Sequence, residues 1–361
     1  VWTDPVAPEV ENRLGWLAAP DISRHLVPTI EALAASAIEH RITDVVVCGM
    51  GGSSLAPEVF AATLPRRGDH PKLSVIDSTH PDAVRAVDDA TDPHSTWYVI
   101  SSKSGGTLET LSLFRHFWHR TAAISDRPGD QFIAITDPDS GLAAMATDRG
   151  FRSVFLADPD VGGRYSALTA FGLVPAGLMG ADVTRLLDSG AQAAAECRRN
   201  DLEDNPGALV GAALAAAEPR QPRVAYFAAS APALAFQVWA EQLIAESPGK
   251  ADTGILPVAA VDLKVHTTDA AGNRIPTRIL LTNSVGKAVL DTGERHPSFQ
   301  NHVTSSGTAT FDLAPGSYLI TVEHGPEWTS ESQTVEMGNE SKEVSIALRR
   351  IANMAAEGWW S

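Results

Sequence analysis

The feature that most constrains this chain is Asp44-Val45-Val46-Val47-Cys48-Gly49, a short run that is apolar on both faces and ends in glycine. A strand of that kind is buried on both sides, as in a parallel sheet covered by helices. The pattern recurs at Lys72-Leu73-Ser74-Val75-Ile76, at Ser95-Thr96-Trp97-Tyr98-Val99-Ile100-Ser101, at Gln131-Phe132-Ile133-Ala134-Ile135-Thr136 and at Arg152-Ser153-Val154-Phe155-Leu156. Helical periodicity fills the intervals, with apolar residues such as Ile30, Leu33, Ala34 and Ile38 on one face before the first strand. The expected fold class is therefore α/β, a doubly wound parallel five-stranded sheet. In such sheets ligands sit beyond the carboxyl ends of the strands. Two small polar loops fall there, Gly49-Met50-Gly51-Gly52-Ser53-Ser54 and Ser102-Lys103-Ser104-Gly105-Gly106-Thr107.

After Gly162-Gly163-Arg164-Tyr165-Ser166 the chain turns Ala-rich and helical as far as Ala217. Arg223-Val224-Ala225-Tyr226-Phe227-Ala228 then reads as another buried strand, followed by a helix to Glu246, and this second α/β unit stops after one strand and one helix. Such a strand lacks neighbours unless another chain or the following segment covers it. From about Ala259 the character changes to short alternating strands separated by turns such as Asp269-Ala270-Ala271-Gly272-Asn273 and Pro315-Gly316, the pattern of a C-terminal antiparallel β-sandwich. The expected division is an α/β ligand-binding domain over 1–165, a helical linker and truncated second α/β unit over 166–258, the sandwich over 259–350 and a tail over 351–361.

A chain of 361 residues suits two or three domains. Its formal net charge of −16 argues against nucleic-acid or membrane-surface binding, so an anionic ligand must be held by local groups. With only Cys48 and Cys197 a disulfide framework is implausible, and a reducing cytoplasm is the expected setting. Neither a membrane-spanning apolar run nor a signal peptide is visible. The chain opens at Val1 within ordinary-looking sequence, as a fragment does.

The loop Ser102–Thr107 joins a strand to a helix and offers three hydroxyls, an ammonium, two glycines and the free N–H groups of a helix start. That combination seats a phosphate; the competing reading is a Gly-rich capped turn without a ligand. The first loop lacks the lysine of a nucleotide P-loop and the full dinucleotide glycine spacing, so a sugar phosphate between two serine-rich loops fits better. His116 and His119, one helical turn apart, have no acidic or Cys partner at metal spacing and read as helix decoration. Asp137-Pro138-Asp139-Ser140 reads as turn and N-cap chemistry. His266, His296, His302 and His324 show no ligand pattern, and no metal or cofactor is expected.

The two loops, together with Gly162-Gly163-Arg164-Tyr165-Ser166 and Gln242-Leu243-Ile244-Ala245-Glu246-Ser247-Pro248-Gly249-Lys250, resemble phosphoglucose isomerase over residues 1–258. Asn12-Arg13-Leu14-Gly15-Trp16-Leu17 further resembles the isomerase half of the bifunctional transaldolase/phosphoglucose isomerase. The resemblance implies a sugar isomerase (SIS) fold, interconversion of glucose 6-phosphate and fructose 6-phosphate, and a homodimer. It assigns Ser102, Lys103, Ser104 and Thr107 to the phosphate, Gly52, Ser53 and Gln242 to substrate contacts, Arg164 to the enediolate and Glu246 to proton transfer between C2 and C1. Chemistry agrees, because an aldose–ketose isomerisation needs one carboxylate to carry a proton and a fixed cation for the developing oxyanion.

The family's ring-opening histidine and C-terminal lysine lie beyond the glutamate motif, and neither is matched here. The following segment instead resembles a carboxypeptidase-regulatory-like sandwich, and Glu357-Gly358-Trp359-Trp360-Ser361 resembles the run before the metal-binding motif of PHP-type metallohydrolases. Two functions are consistent with this: an isomerase, impaired where its C-terminal catalytic part is replaced, or a non-catalytic sugar-phosphate-binding protein with a partner-binding sandwich.

Overall fold

The computed structural model describes residues 13–215, 224–228, 234–247, 255–284, 286–289, 298–299, 302–338, 340–353 and 356. By contacts the chain divides into two compact units, one of residues 1–223 and 242–254, the other of residues 224–241 and 255–361.

The first unit is built on a five-stranded sheet in the order β2-β1-β3-β4-β5, with β1 Asp44–Gly49, β2 Lys72–Ile76, β3 Thr96–Ser101, β4 Phe132–Thr136 and β5 Ser153–Leu156. All four strand pairings are parallel. Successive side chains point to opposite faces of a strand, so each apolar run feeds two cores. Val45, Val47, Trp97, Val99, Ile133 and Ile135 enter one core, and Val46, Cys48, Tyr98, Ile100, Phe132 and Ala134 the other. Helices cover both faces: α1 Val27–Glu39, α2 Leu55–Thr63, α3 Pro81–Ala90, α4 Leu108–Ala122 and α5 Gly141–Asp148 alternate with the strands. Leu113, Phe114 and Phe117 of α4 and Leu142 and Ala146 of α5 fill the second core.

The first core is completed by a helix the sequence places in a linker. Helix α6, Ala170–Leu178, has every residue buried, and Phe171, Leu173, Val174 and Leu178 pack with Ile30 and Leu33 of α1 against the sheet. Helix α7, Val183–Glu196, adds Val183 and Leu187 to the same core. The sequence boundary at residue 165 therefore does not end the α/β unit, because the apolar face of the sheet needs these helices. Helix α8, Pro206–Ala215, follows.

In the second unit, β6 Val224–Ala228 has the neighbour that the sequence leaves in question. It pairs in parallel with the start of β7, Leu256–Asp269, from Val224 opposite Leu256 to Ala228 opposite Ala260. There is no break at residue 259. The same strand continues and pairs antiparallel with β11, Thr308–Leu313, and parallel with β14, Lys342–Leu348. A second sheet runs β13-β12-β8-β10-β9, with β8 Thr277–Asn283, β9 Ser298–Phe299, β10 His302–Ser305, β12 Gly316–Glu323 and β13 Glu331–Met337, all antiparallel. Leu263, Val265, Ile279, Leu281, Phe311 and Ile320 are fully buried in the core of this β-sandwich. The tail motif at residues 357–361 lies outside the described residues, and no described helix is long and apolar enough to cross a membrane.

Candidate active site

Both polar loops stand at the carboxyl ends of β1 and β3, neighbours in the sheet. Ser101 at the end of β3 donates through Oγ to the Ser53 carbonyl at 3.0 Å, tying one loop to the other. Gly51–Ser53 forms a single 3-10 turn in which Gly51 takes φ +53°, a left-handed conformation that glycine adopts without cost. Gly105 does the same in the second loop with φ +68°, and a Cβ there would stand 2.8 Å from that of Ser140.

The loops meet across an open cleft of about 430 Å³, lined by Gly52, Ser53, Lys103, Ser104 and Thr107 together with Arg13 and Asp137. Ser102 is buried instead, and its hydroxyl bonds that of Thr107 at 3.0 Å, bracing the residue that opens α4. The N-terminus of α4 stands behind the loop, where its unpaired N–H groups favour an anion.

Two charged residues of the cleft, Asp137 and Arg13, go beyond the expected set. Asp137 holds the Lys103 ammonium at 2.8 Å, and Lys103 also donates to the Asp158 carbonyl at 3.2 Å. The loop lysine thus meets the cleft partly neutralised. From sequence, residues 137–140 read only as turn and cap; Ser140 does accept from Ala143 N at the start of α5. Arg13 is brought to the cleft by an N-terminal segment that bridges Leu14 to Val161, donates Gly15 N to the Asp160 carbonyl at 3.2 Å and stacks Trp16 on Tyr165 at 5.1 Å. Arg13 lies within the Asn12–Leu17 motif, but its place in the cleft, like the pairing of Asp137 with Lys103, depends on contacts distant along the chain.

A second group stands beside the first loop. Gly52 lies so close to Gly163 that a Cβ would collide with the Gly163 carbonyl, which places the Gly162–Tyr165 turn against the first polar loop. From that turn, Arg164 donates through Nε to Ser247 Oγ at 3.0 Å and pairs with Glu246 at 3.3 Å. The Arg164 guanidinium lies over the Tyr165 ring at 4.9 Å, while the Tyr165 hydroxyl shares a 2.6 Å hydrogen bond with Ser247. Helix α9, Leu234–Glu246, carries Gln242 one turn before Glu246, and Gln242 Nε2 donates to Glu246 Oε1 at 3.2 Å. That bond orients the amide, because a carboxylate only accepts. It leaves Gln242 Oε1 buried with no hydrogen-bond partner among the described residues.

Arg164, Gln242 and Glu246 are thus brought together, a cation and a carboxylate fixed by neighbours within the unit that holds the cleft between the two loops. Arg164 is about one quarter exposed and Glu246 about half, so solvent weakens the ion pair and leaves the carboxylate accessible. Among the described residues no group of three His, Cys, Asp or Glu could hold a metal ion, and His116 pairs with Asp88 at 2.9 Å.

A parallel sheet covered by helices, with two serine-rich loops meeting in one cleft at the carboxyl ends of neighbouring strands, is the arrangement of an α/β protein that can seat an anionic ligand. The phosphoglucose isomerase family model matches residues 24–251, and the chain belongs to that family. It is 33% identical over 269 residues to the glucose-6-phosphate isomerase of Rubrobacter xylanophilus, covering 70% of this chain and 60% of that protein. Against the glucose-6-phosphate isomerase of Carboxydothermus hydrogenoformans it is 31% identical, covering 66% of this chain and 54% of the relative. The chain therefore spans little more than half the length of these relatives. Among solved structures, a hypothetical protein from Thermus thermophilus superimposes with a TM-score of 0.61 at 26% identity, over 74% of this chain and 59% of that one. The glucose-6-phosphate isomerase of Chlamydia trachomatis shares the fold with a TM-score of 0.56 at 22% identity, over 70% of this chain and 48% of that one.

Proposed function

We propose that this chain binds a hexose 6-phosphate and interconverts glucose 6-phosphate and fructose 6-phosphate through an enediolate. The observation that carries the reading is the convergence of Gly52, Ser53, Lys103, Ser104 and Thr107 on one cleft, beside a carboxylate and a guanidinium already paired. The phosphate occupies the cleft, held by the Ser104 and Thr107 hydroxyls and the start of α4. Arg13 adds the cation that the Asp137–Lys103 pair partly withholds. Glu246 takes the proton from C2 and returns it to C1, while Arg164 moves its charge from Glu246 to the developing enediolate oxygen. Gln242 Oε1, buried without a partner among the described residues, accepts from a sugar hydroxyl. A homodimer and a cytoplasmic location belong to the same proposal.

A second reading, binding without turnover, draws on β7 leading from β6 directly into the sandwich, a segment in which the ring-opening histidine and the lysine are unmatched. A coupled assay separates the two. Turnover of fructose 6-phosphate that falls about 10²- to 10⁴-fold in Glu246→Gln supports the isomerase. Calorimetric binding with no turnover by the unsubstituted chain supports the binding protein, and absence of both refutes the site.

A further inference from the structure

The first unit carries another cleft with the opposite charge to the chain as a whole. Its location follows from the strand direction. The segment 64–70 enters β2 at Lys72, which pairs with Asp44 at the start of β1, so this segment lies at the amino ends of the strands. The two polar loops lie at the carboxyl ends. Between this segment and the start of α7 is a cleft of about 470 Å³. Arg66, Arg67 and Arg185 line it, with Leu64, Pro65 and Leu186 as apolar wall.

The platform is fixed by long-range ties. Arg67 N–H donates to the Met179 carbonyl at 3.3 Å, and His70 Nδ1 donates to the Leu178 carbonyl at 3.2 Å. Gly180, at φ +87°, turns the chain between α6 and α7, and a Cβ there would stand 2.8 Å from the His70 ring and 2.9 Å from Arg67 Cβ. Only backbone fits at that point of the floor. The Arg67 and Arg185 side chains have no hydrogen-bond or ion-pair partner among the described residues, and Arg66 makes only a 3.4 Å bond to the His70 carbonyl. The acidic group in the cleft, Asp182, is engaged as the cap of α7, accepting from Arg185 N at 2.9 Å. Glu31 and Asp69 line the adjoining cavity instead.

Three exposed guanidiniums with no carboxylate partner among the described residues, gathered at one cleft in a chain of net charge −16, repel one another. Guanidinium forks match phosphate oxygens in pairs, and the cleft volume falls within the range of small-molecule sites. We propose that this cleft is a second ligand site, distinct from the sugar-phosphate cleft, which takes an organic polyphosphate: its phosphates lie on Arg66, Arg67 and Arg185, and its organic part on Leu64, Pro65 and Leu186.

The test is calorimetry on the full chain with ATP and with pyrophosphate as probes, at fixed ionic strength. One ATP is expected to bind per chain, more tightly than pyrophosphate. Affinity should fall roughly 10-fold or more in Arg67→Ala and in Arg185→Ala, each of which removes charge-assisted hydrogen bonds. The change Arg115→Ala, on an exposed helix position outside the cleft, should leave ATP binding unaltered, as should the pair Ser104→Ala and Thr107→Ala in the other cleft. Circular dichroism with melting establishes that each variant is folded, which these exposed arginine positions permit. Absence of ATP binding overturns the proposal, as does binding indifferent to Arg67 and Arg185. ATP binding lost with Ser104 and Thr107 assigns the ligand to the sugar-phosphate cleft and overturns it too. Equal affinity for pyrophosphate and ATP refutes the organic contact with the apolar wall. The sugar-phosphate reading stands or falls separately, by the fructose 6-phosphate assay.

Discussion

Strand β4 of the parallel sheet buries every one of its residues, whereas β11 of the sandwich alternates half-buried and buried side chains along its length. The first serves two cores at once and the second serves one. A sheet covered on both faces leaves its strand ends as the accessible places, and there the chain puts glycine, serine and the helix start that can hold an anion. A sandwich keeps one face of each sheet in water and needs polar side chains there; these pair with one another, as Lys264 and His266 of β7 do with Glu343 of β14. Uncovered polar loops gather at the strand ends of one unit, while Lys264, His266 and Glu343 pair with one another on the polar face of the other.

The largest test of this contrast is a cavity in each core. Phe311→Ala in the sandwich and Phe117→Ala in α4 both remove a fully buried ring, with an expected cost of about 3 to 5 kcal/mol each. Chemical denaturation should register both losses, but only Phe117→Ala should weaken fructose 6-phosphate binding under native conditions. A matching loss of binding in folded Phe311→Ala would break the assignment of the ligand to the parallel unit.

The two units should also respond at opposite ends of the pH scale. Burial pushes the Tyr98 phenol up from the ordinary 10.0 to about 12, partly offset by the charge of Arg120. A raised value means the folded state holds that proton more tightly. Its contribution, on the order of 2 to 3 kcal/mol, is complete below pH 10 and lost as pH rises towards 12. Denaturation of Tyr98→Phe across that range should show a shallower alkaline decline than the unsubstituted chain; parallel declines would refute the assignment.

A smaller effect is expected from Asp137→Asn, which removes the carboxylate that holds the Lys103 ammonium in the cleft between the two loops. Affinity for fructose 6-phosphate should rise about three- to tenfold, less at high salt. Weaker binding would instead show that the carboxylate is needed to position Lys103. The smallest belongs to the sandwich turn after β7, where Asp269 accepts from Asn273 side chain and backbone and from Ala271 N–H. Those bonds hold its carboxyl below the usual value. A depressed value stabilises the folded state above the ordinary carboxylate range and loses that contribution as pH falls through it. Asp269→Asn should therefore slightly reduce stability near neutrality and flatten the acid decline, as read by thermal melting.

Much of this was legible along the chain because burial on both faces or on one leaves a direct mark on residue order. The runs at Val45–Cys48 and Phe132–Thr136 disclose a parallel sheet, and the alternation through Thr308–Leu313 discloses a sandwich strand. The linker assignment of 166–258 misses α6 for the same reason: an all-apolar helix shows that it is buried but not against which face. The unpartnered appearance of Val224–Ala228 likewise dissolves only when β7 supplies hydrogen bonds to it and to the sandwich strands in turn.

Sequence by itself determined the fold class and the two anion-type loops, and through the family resemblance singled out Arg164, Gln242 and Glu246, because local pattern and short motifs carry those. Tertiary structure alone decided that Ser102 braces the loop from within, that Asp137 meets Lys103, that Arg13 reaches the cleft and that Arg66, Arg67 and Arg185 share another. Each of those is a meeting of groups far apart in the chain, and charge or hydrogen-bond pairing acts over a few ångströms of space whatever the separation in sequence.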